Sequence, residues 1–253
     1  MSDERKEFAD HFAPAADGYA AYRPSYPAAL ADFLARAAPR RELAWDCGCG
    51  SGQLSVPLAE RFDRVVATDA SAEQVARAAP HPGIEYRQAR EGASGLPDRS
   101  VDLAVAAQAA HWFDLPAYYA EVRRVARPGA LVALTVYNLV EVNDAVDHAV
   151  RRFYADVLGP FWPPERRHVE LNYTSLPFPF EPIPAPPVEM RATYTLARFI
   201  AYMRTWSAVI RLEKAEGAGP MEALRRELQP LWGDAGDRAR EVRWPLTVRA
   251  GRV

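Results

Sequence analysis

The sequence predicts an α/β domain built on a parallel sheet, and three observations carry that expectation. Apolar strand candidates alternate with helical stretches over residues 1–140, a glycine-rich loop follows the first strand, and an acidic residue closes the second. Strands separated by helical stretches of roughly ten residues form βαβ units, with helices on both faces of the sheet.

The elements follow in order. Residues 1–26 read as an N-terminal capping flap, ending in the Tyr19–Pro27 stretch. A helix follows over Pro27–Ala38, with proline in its first turn and Leu30, Phe33 and Leu34 on one face. Next come a strand at Glu42–Asp46, a helix at Ser51–Arg61, a strand at Arg64–Asp69 and a helix to Ala79 capped by Ser71. Strands at Ile84–Gln88, Val101–Ala106 and Ala130–Tyr137, with a helix at Leu115–Ala126, complete a core over 41–140. Trp45 belongs to the packed interior of the first strand.

Beyond Tyr137 the texture changes. A helix is expected over Val142–Leu158, and then nine prolines fall between Pro160 and Pro187 among several aromatic residues. Such a stretch is not regular throughout; it is either a packed connection or a lid over a substrate. Residues 188–253 then supply a strand at Glu189–Thr195, helices at Leu196–Ile210 and Pro220–Gln229, and a last strand at Glu241–Val248, where Pro245 points to an edge or bulge. The chain reads as a single domain over 1–253, with 141–187 as a cover.

Composition narrows the function classes. The 253 residues are 49% hydrophobic and 25% charged, with a net charge of −2, so no basic footprint for nucleic acid or an anionic membrane is visible. No apolar run approaches the ~20 residues that span a bilayer, and the charged start lacks a signal-type apolar core, so a cytoplasmic protein is expected. Cys47 and Cys49 stand too close for an unstrained bridge and have no second ligand pair for a metal, so no metal site is expected.

The richest signal is Asp46-Cys47-Gly48-Cys49-Gly50-Ser51-Gly52, between strand and helix. Glycines at 48, 50 and 52 let the backbone turn sharply and come close to a ligand. Asp69 lies 21 residues beyond Gly48, where a carboxylate can accept hydrogen bonds from both ribose hydroxyls. A dinucleotide loop would carry glycine where Gln53 stands, and Asp46 would repel a pyrophosphate with no basic residue in the loop to offset it. The loop therefore suits a ligand with a cationic group and no phosphate, such as S-adenosylmethionine (SAM).

These residues, with Tyr19–Pro27, Gly95–Asp102, Gln108–Asp114 and Arg127–Ala130, make the chain similar to the class I SAM-dependent methyltransferases, and within them to the trans-aconitate methyltransferase-like branch. The resemblance implies a Rossmann-like, seven-stranded, mostly parallel sheet whose last strand is antiparallel, with a helical N-terminal flap and a C-terminal cover. It also implies SAM as cofactor and a small-molecule acceptor, with methyl transfer by in-line displacement. The Gly48–Gly52 loop would pass beneath the methionine part of SAM with Asp46 near its ammonium. Asp69 would hold the ribose, Ala70 would flank the adenine, and Ala89 and Arg90 would border its edge. Glu91 is displaced by about one residue from the family pattern and reads either as an adenine contact or as a solvated loop charge. Gln108 would approach the methionine end with its amide, and Arg23 would meet the carboxylate there.

For the acceptor, His111 is the candidate general base, although a carboxylate nucleophile is ionised at pH 7 and needs none. Tyr19, Tyr22, Trp112, Phe113 and Trp206 would surround the methyl group or serve as core packing. Asn138, just past the fifth strand, is a candidate polar contact, and Arg166, Arg167 and Arg204 are candidates for binding further carboxylates of a trans-aconitate-like acceptor. His11, His81, His148 and His168 read as surface or structural. The competing readings are a macromolecular acceptor and a SAM-binding regulatory protein without catalysis.

Overall fold

The computed structural model describes residues 22, 24–233 and 238–253. Tyr19, Arg23 and most of the expected N-terminal flap lie outside the described residues. Helix α1 spans Ala28–Ala37 and buries Leu30, Ala31, Leu34 and Ala35, while Phe33 is half-buried. The core then runs β1 (Leu43–Cys47), α2 (Ser55–Ala59), β2 (Arg64–Asp69), α3 (Ala72–Ala76), β3 (Ile84–Gln88), β4 (Val101–Ala107), α4 (Leu115–Val125) and β5 (Ala126–Tyr137). After it come α5 (Asp144–Arg152), α6 (Arg166–Glu170), β6 (Glu181–Ile183), β7 (Val188–Tyr194), α7 (Leu196–Met203), α8 (Ser207–Glu216), α9 (Gly219–Trp232) and β8 (Arg240–Arg252).

The strands form one sheet in the order β3-β2-β1-β4-β5-β8-β6, with β7 also paired to β8. Strands β1 to β5 are mutually parallel, and β8 is antiparallel to β5, β6 and β7. Eight strands stand where seven were expected because two short ones share the position beyond β8. β6 pairs with Arg252–Ala250 and β7 with Leu246–Arg240. β8 is therefore central. Pro245 falls in the gap between the Glu141–Arg243 bridge and the first β5 pair, Tyr137 with Leu246, where a missing N–H costs little.

Both faces of the sheet are covered, so its central strands β1, β4 and β5 are buried along most of their length. Ala44, Leu103, Leu131 and Ala133 face a core with α1, α5 and α7 to α9, while Trp45, Ala104, Val132 and Leu134 pack on α4 and on residues 169–180. Trp45 is fully buried and donates to Thr68 Oγ1 at 2.9 Å. The proline-rich segment is bound down by its backbone carbonyls. Arg249 donates to the carbonyl of Leu176 at 2.7 Å, Tyr119 to that of Pro177 at 2.7 Å and Arg123 to that of Pro179 at 3.0 Å.

Several boundaries differ from the sequence pattern. α2 begins four residues later than expected because the glycine loop continues in turns through Leu54. The helix expected over 142–158 ends at Arg152 and continues as a π-turn over Phe153–Val157. The helix expected over 196–210 breaks at Arg204–Trp206 into α7 and α8. No helix among the described residues is long and apolar enough to cross a membrane.

One buried carboxylate ties the start of β1 to β4. Asp102, fully buried, accepts the backbone N–H groups of Glu42 and Leu43 at 3.0 Å each and pairs with Arg127 at 3.1 Å. Asp102→Ala strands two backbone donors and a guanidinium, so urea titration should show a loss of about 3 kcal/mol. A loss below about 0.5 kcal/mol, within the range of ordinary surface substitutions, would show that the tie contributes nothing.

Candidate active site

The carboxyl ends of β1 to β5 open into one cavity of about 1120 Å³. Its walls are the chain segments that follow each strand: 46–50, 69–71, 89–93, 107–117 and Tyr137. Open α/β sheets bind ligands at this edge, where loops leave the strands.

The glycine loop is held by backbone groups of β2. Thr68 O accepts the N–H of Gly48 at 2.7 Å and of Cys49 at 3.0 Å, and the Asp69 carboxylate accepts Gly50 N–H and Ser71 N–H at 2.9 Å each. Gly48 has φ +70°, and a Cβ there would stand 2.5 Å from Ala109 Cβ. Gly52 has φ +92°, and its Cβ would meet the Tyr86 hydroxyl at 2.4 Å. These two glycines are thus required by close packing within the protein. Gly48 and Gly50 line the cavity, whereas Gly52 does not, so its expected place beneath a ligand is corrected to a turn position.

Asp46 is 1% exposed. Its Oδ2 accepts the Ser55 hydroxyl at 2.6 Å, while its Oδ1 is buried with no partner among the described residues. Burial pushes its carboxyl up to about 7, Ser55 opposes the rise and neighbouring Asp69 adds to it. An orphaned acceptor in a cavity wall is a fitting place for a ligand cation. Ala70, Ala89 and Arg90 line the same end. Glu91 also lines it, and its Oε1 accepts Asp114 N–H at 2.9 Å, which ties the β3 loop to the start of α4.

The β4 loop forms the opposite wall. Gln108 has φ +54°, and its side-chain amide is engaged twice with Tyr137, donating to the carbonyl at 3.2 Å and accepting the N–H at 2.9 Å. It lines the cavity, but its amide staples β4 to β5 instead of reaching toward a ligand. His111 lines the cavity with Nδ1 2.7 Å from the Tyr173 hydroxyl, and burial pulls its pKa down to about 3, helped by the charge of Arg166. A base that weak is poorly matched to proton abstraction at neutral pH. Trp112 and Phe113 line the cavity as well, and the Phe113 ring packs against Tyr118 at 5.1 Å.

Three expected acceptor residues stand elsewhere. Asn138 and Trp206 line a small adjoining compartment of about 70 Å³, which shares Gln108, His111, Trp112 and Tyr137 with the main cavity. Tyr22 is half-buried, packs against the core and accepts the Tyr194 hydroxyl on its carbonyl at 2.6 Å. Of the three candidate arginines, Arg166 lines that compartment, Arg167 is exposed, and Arg204 is paired with Glu213 and Glu222 at 3.0 Å each. Sequence reasoning missed Gln53, Gln74, Glu165 and His168, all of which line the main cavity. His168 comes from the proline-rich segment, whose irregular path no periodicity could place. That segment is both a packed connection and a wall of the site.

A glycine loop on a parallel sheet, with one acid at the end of β1 and another at the end of β2, defines a nucleoside-binding class that accepts a cationic ligand. Residues 45–134 match the family model described as a methyltransferase domain. A solved structure from Anaeromyxobacter dehalogenans, described as a type II methyltransferase, is 47% identical with a TM-score of 0.86, covering 91% of this chain and 97% of that one. A Dictyostelium discoideum protein described as a methyltransferase is 28% identical over 246 residues, 95% of this chain and 94% of that relative. An uncharacterised methyltransferase of Mycobacterium tuberculosis is 40% identical over 136 residues, 53% of this chain and 55% of its own length. The chain belongs to the class I SAM-dependent methyltransferases.

The Asp46 geometry has a measurable consequence. In the unfolded chain its carboxyl releases its proton near 3.8, and in the folded protein near 7. The folded state therefore holds the proton more tightly, and this contribution to stability is complete below pH 3.8 and lost as pH rises through 7. Asp46→Asn, which cannot ionise, should gain thermal stability relative to wild type between pH 5 and pH 8 in melting scans. A difference that does not change with pH would contradict the raised value.

Proposed function

We propose that this methyltransferase acts on an oxygen of a small carboxylic acid. The observation that carries the reading is the state of His111: the imidazole at the junction of the two cavities is neutral and weakly basic, with Nδ1 occupied. That arrangement suits a nucleophile already ionised at neutral pH, and a carboxylate is one.

Bound SAM supplies an electrophilic methyl group on a sulfonium that departs as a neutral thioether. The residues around it have binding and alignment to perform, since in-line displacement depends on holding the reacting atoms at an approach of about 3–3.5 Å. Asp46 partners the ligand's ammonium through its orphaned Oδ1, and Gly48 and Gly50 supply the backbone floor. Asp69 accepts from the ribose hydroxyls. Ala70, Ala89 and Arg90 border the base. Trp112 and Phe113 present aromatic surface near the methyl position. The segment around Glu165 and His168 shields the reaction from water.

The direct test is transfer of radiolabelled methyl from SAM to a panel of small carboxylic acids, read as base-labile methyl esters. At saturating SAM, kcat should be flat between pH 5.5 and 8, because His111 stays neutral throughout with a pKa near 3. Label appearing only on amines or protein, or a kcat rising through this range and flattened by His111→Asn, would contradict the proposal.

A further inference from the structure

The small compartment beside the cofactor cavity holds an unusual cation. Arg166 stacks over the rings of Trp162 and Tyr154, with its guanidinium carbon 4.6 and 5.4 Å from their centroids. Its Nε donates to the Tyr154 hydroxyl at 2.8 Å, and its Nη2 makes a long contact of 3.4 Å to Asn138 Oδ1. Among the described residues no carboxylate forms an ion pair with it. The nearest acid in its network is Glu170, one hydroxyl removed, accepting from Tyr154 at 2.5 Å. Arg204, by contrast, is paired with both Glu213 and Glu222.

The rest of the compartment has the same character. Its lining carries no acidic side chain. Trp162, one of its walls, has a buried indole N–H with no acceptor among the described residues. His111 lies at the boundary, with its Nδ1 2.7 Å from the Tyr173 hydroxyl. When the hydroxyl donates its proton to Nδ1, the neutral imidazole carries its own hydrogen on Nε2 as a donor. A fixed guanidinium with its Nη1 donors unspent, an orphaned indole N–H and an imidazole donor form a set with hydrogens and no acceptor to receive them.

We propose that this compartment seats a carboxylate of the acceptor that is not the methylated group, with Arg166 as its anchor and the determinant of acceptor specificity. The inference rests on the small-molecule methyltransferase reading above and deepens it. Size favours a carboxylate over a phosphate: about 70 Å³ is room for roughly two water-sized groups. A planar guanidinium pinned between aromatic faces also loses little freedom when it receives a planar oxyanion. Because the compartment opens on the cavity through His111 and Trp112, an acid anchored there would hold its other end toward the cofactor.

Calorimetric titration with succinate, glutarate and adipate, at saturating S-adenosylhomocysteine, tests this without knowing the natural acceptor. At least one diacid should bind the wild type while its diamide does not. Arg166→Gln should weaken it about tenfold or more, and Arg166→Lys, which keeps charge but not the fork, by less. Trp162→Phe, which keeps the ring and removes the indole N–H, should weaken it several-fold. Unchanged affinity for S-adenosylhomocysteine in all three variants shows that the fold is intact. Diacids that fail to bind wild type that holds S-adenosylhomocysteine, bind Arg166→Gln equally, or are matched by their diamides overturn the proposal while leaving the methyltransferase reading in place. Failure of S-adenosylhomocysteine itself to bind would instead remove the reading on which it rests.

Discussion

The site depends on one carboxylate joined to two strand ends. Asp69 closes β2, and its two oxygens take the N–H of Gly50 in the first loop and of Ser71 at the start of α3. Charged acceptors on backbone donors make strong, short-range ties. With Thr68 O holding Gly48 and Cys49, the glycine loop is positioned by β2 before any ligand arrives. Asp69 is therefore a support of the loop, and in the proposed reading it would also accept from the ligand, so its removal would affect both.

That support allows an uneven distribution of charge along the cavity. At the β1–β2 end Asp69 raises the proton affinity of nearby Asp46, and Asp46 keeps an oxygen without a partner among the described residues. At the β4–β5 end the available groups are donors: the Arg166 guanidinium, the Trp162 indole N–H and the neutral His111. A cationic cofactor and an anionic acceptor would each meet the complementary end. Gln108 fixes the distance between them, since its amide staples the β4 loop to Tyr137 and costs it a left-handed backbone.

Much of the fold was legible because a sheet covered on both faces leaves apolar runs in its central strands, ended by turn residues. β2 and β3 begin and end where the pattern placed them, and β1 and β4 lie within one residue of it. Ser71 caps α3 as read, accepting Gln74 N–H at 3.4 Å. The break between α7 and α8 was invisible because apolar residues at helical spacing, Phe199, Met203, Trp206 and Val209, run straight across it. In the site, Asp46, Gly48, Gly50 and Asp69, which line the cavity, stand out in the sequence from local spacing alone. The roles of Gln108 and His111 do not, because their partners, Tyr137 and Tyr173, lie 29 and 62 residues away. His168 and Arg166 sit in a segment whose path is set by carbonyl contacts to Arg249 and Tyr119, and no sequence pattern encodes those.

The central claim is that the β1–β2 junction is built for SAM. It is tested most directly by calorimetric titration of the protein with SAM and, separately, with NAD. Saturable SAM binding, weakened at least about tenfold in Asp69→Ala and absent for NAD, is the result this account predicts. A folded protein that ignores SAM, or binds NAD equally well, would contradict it.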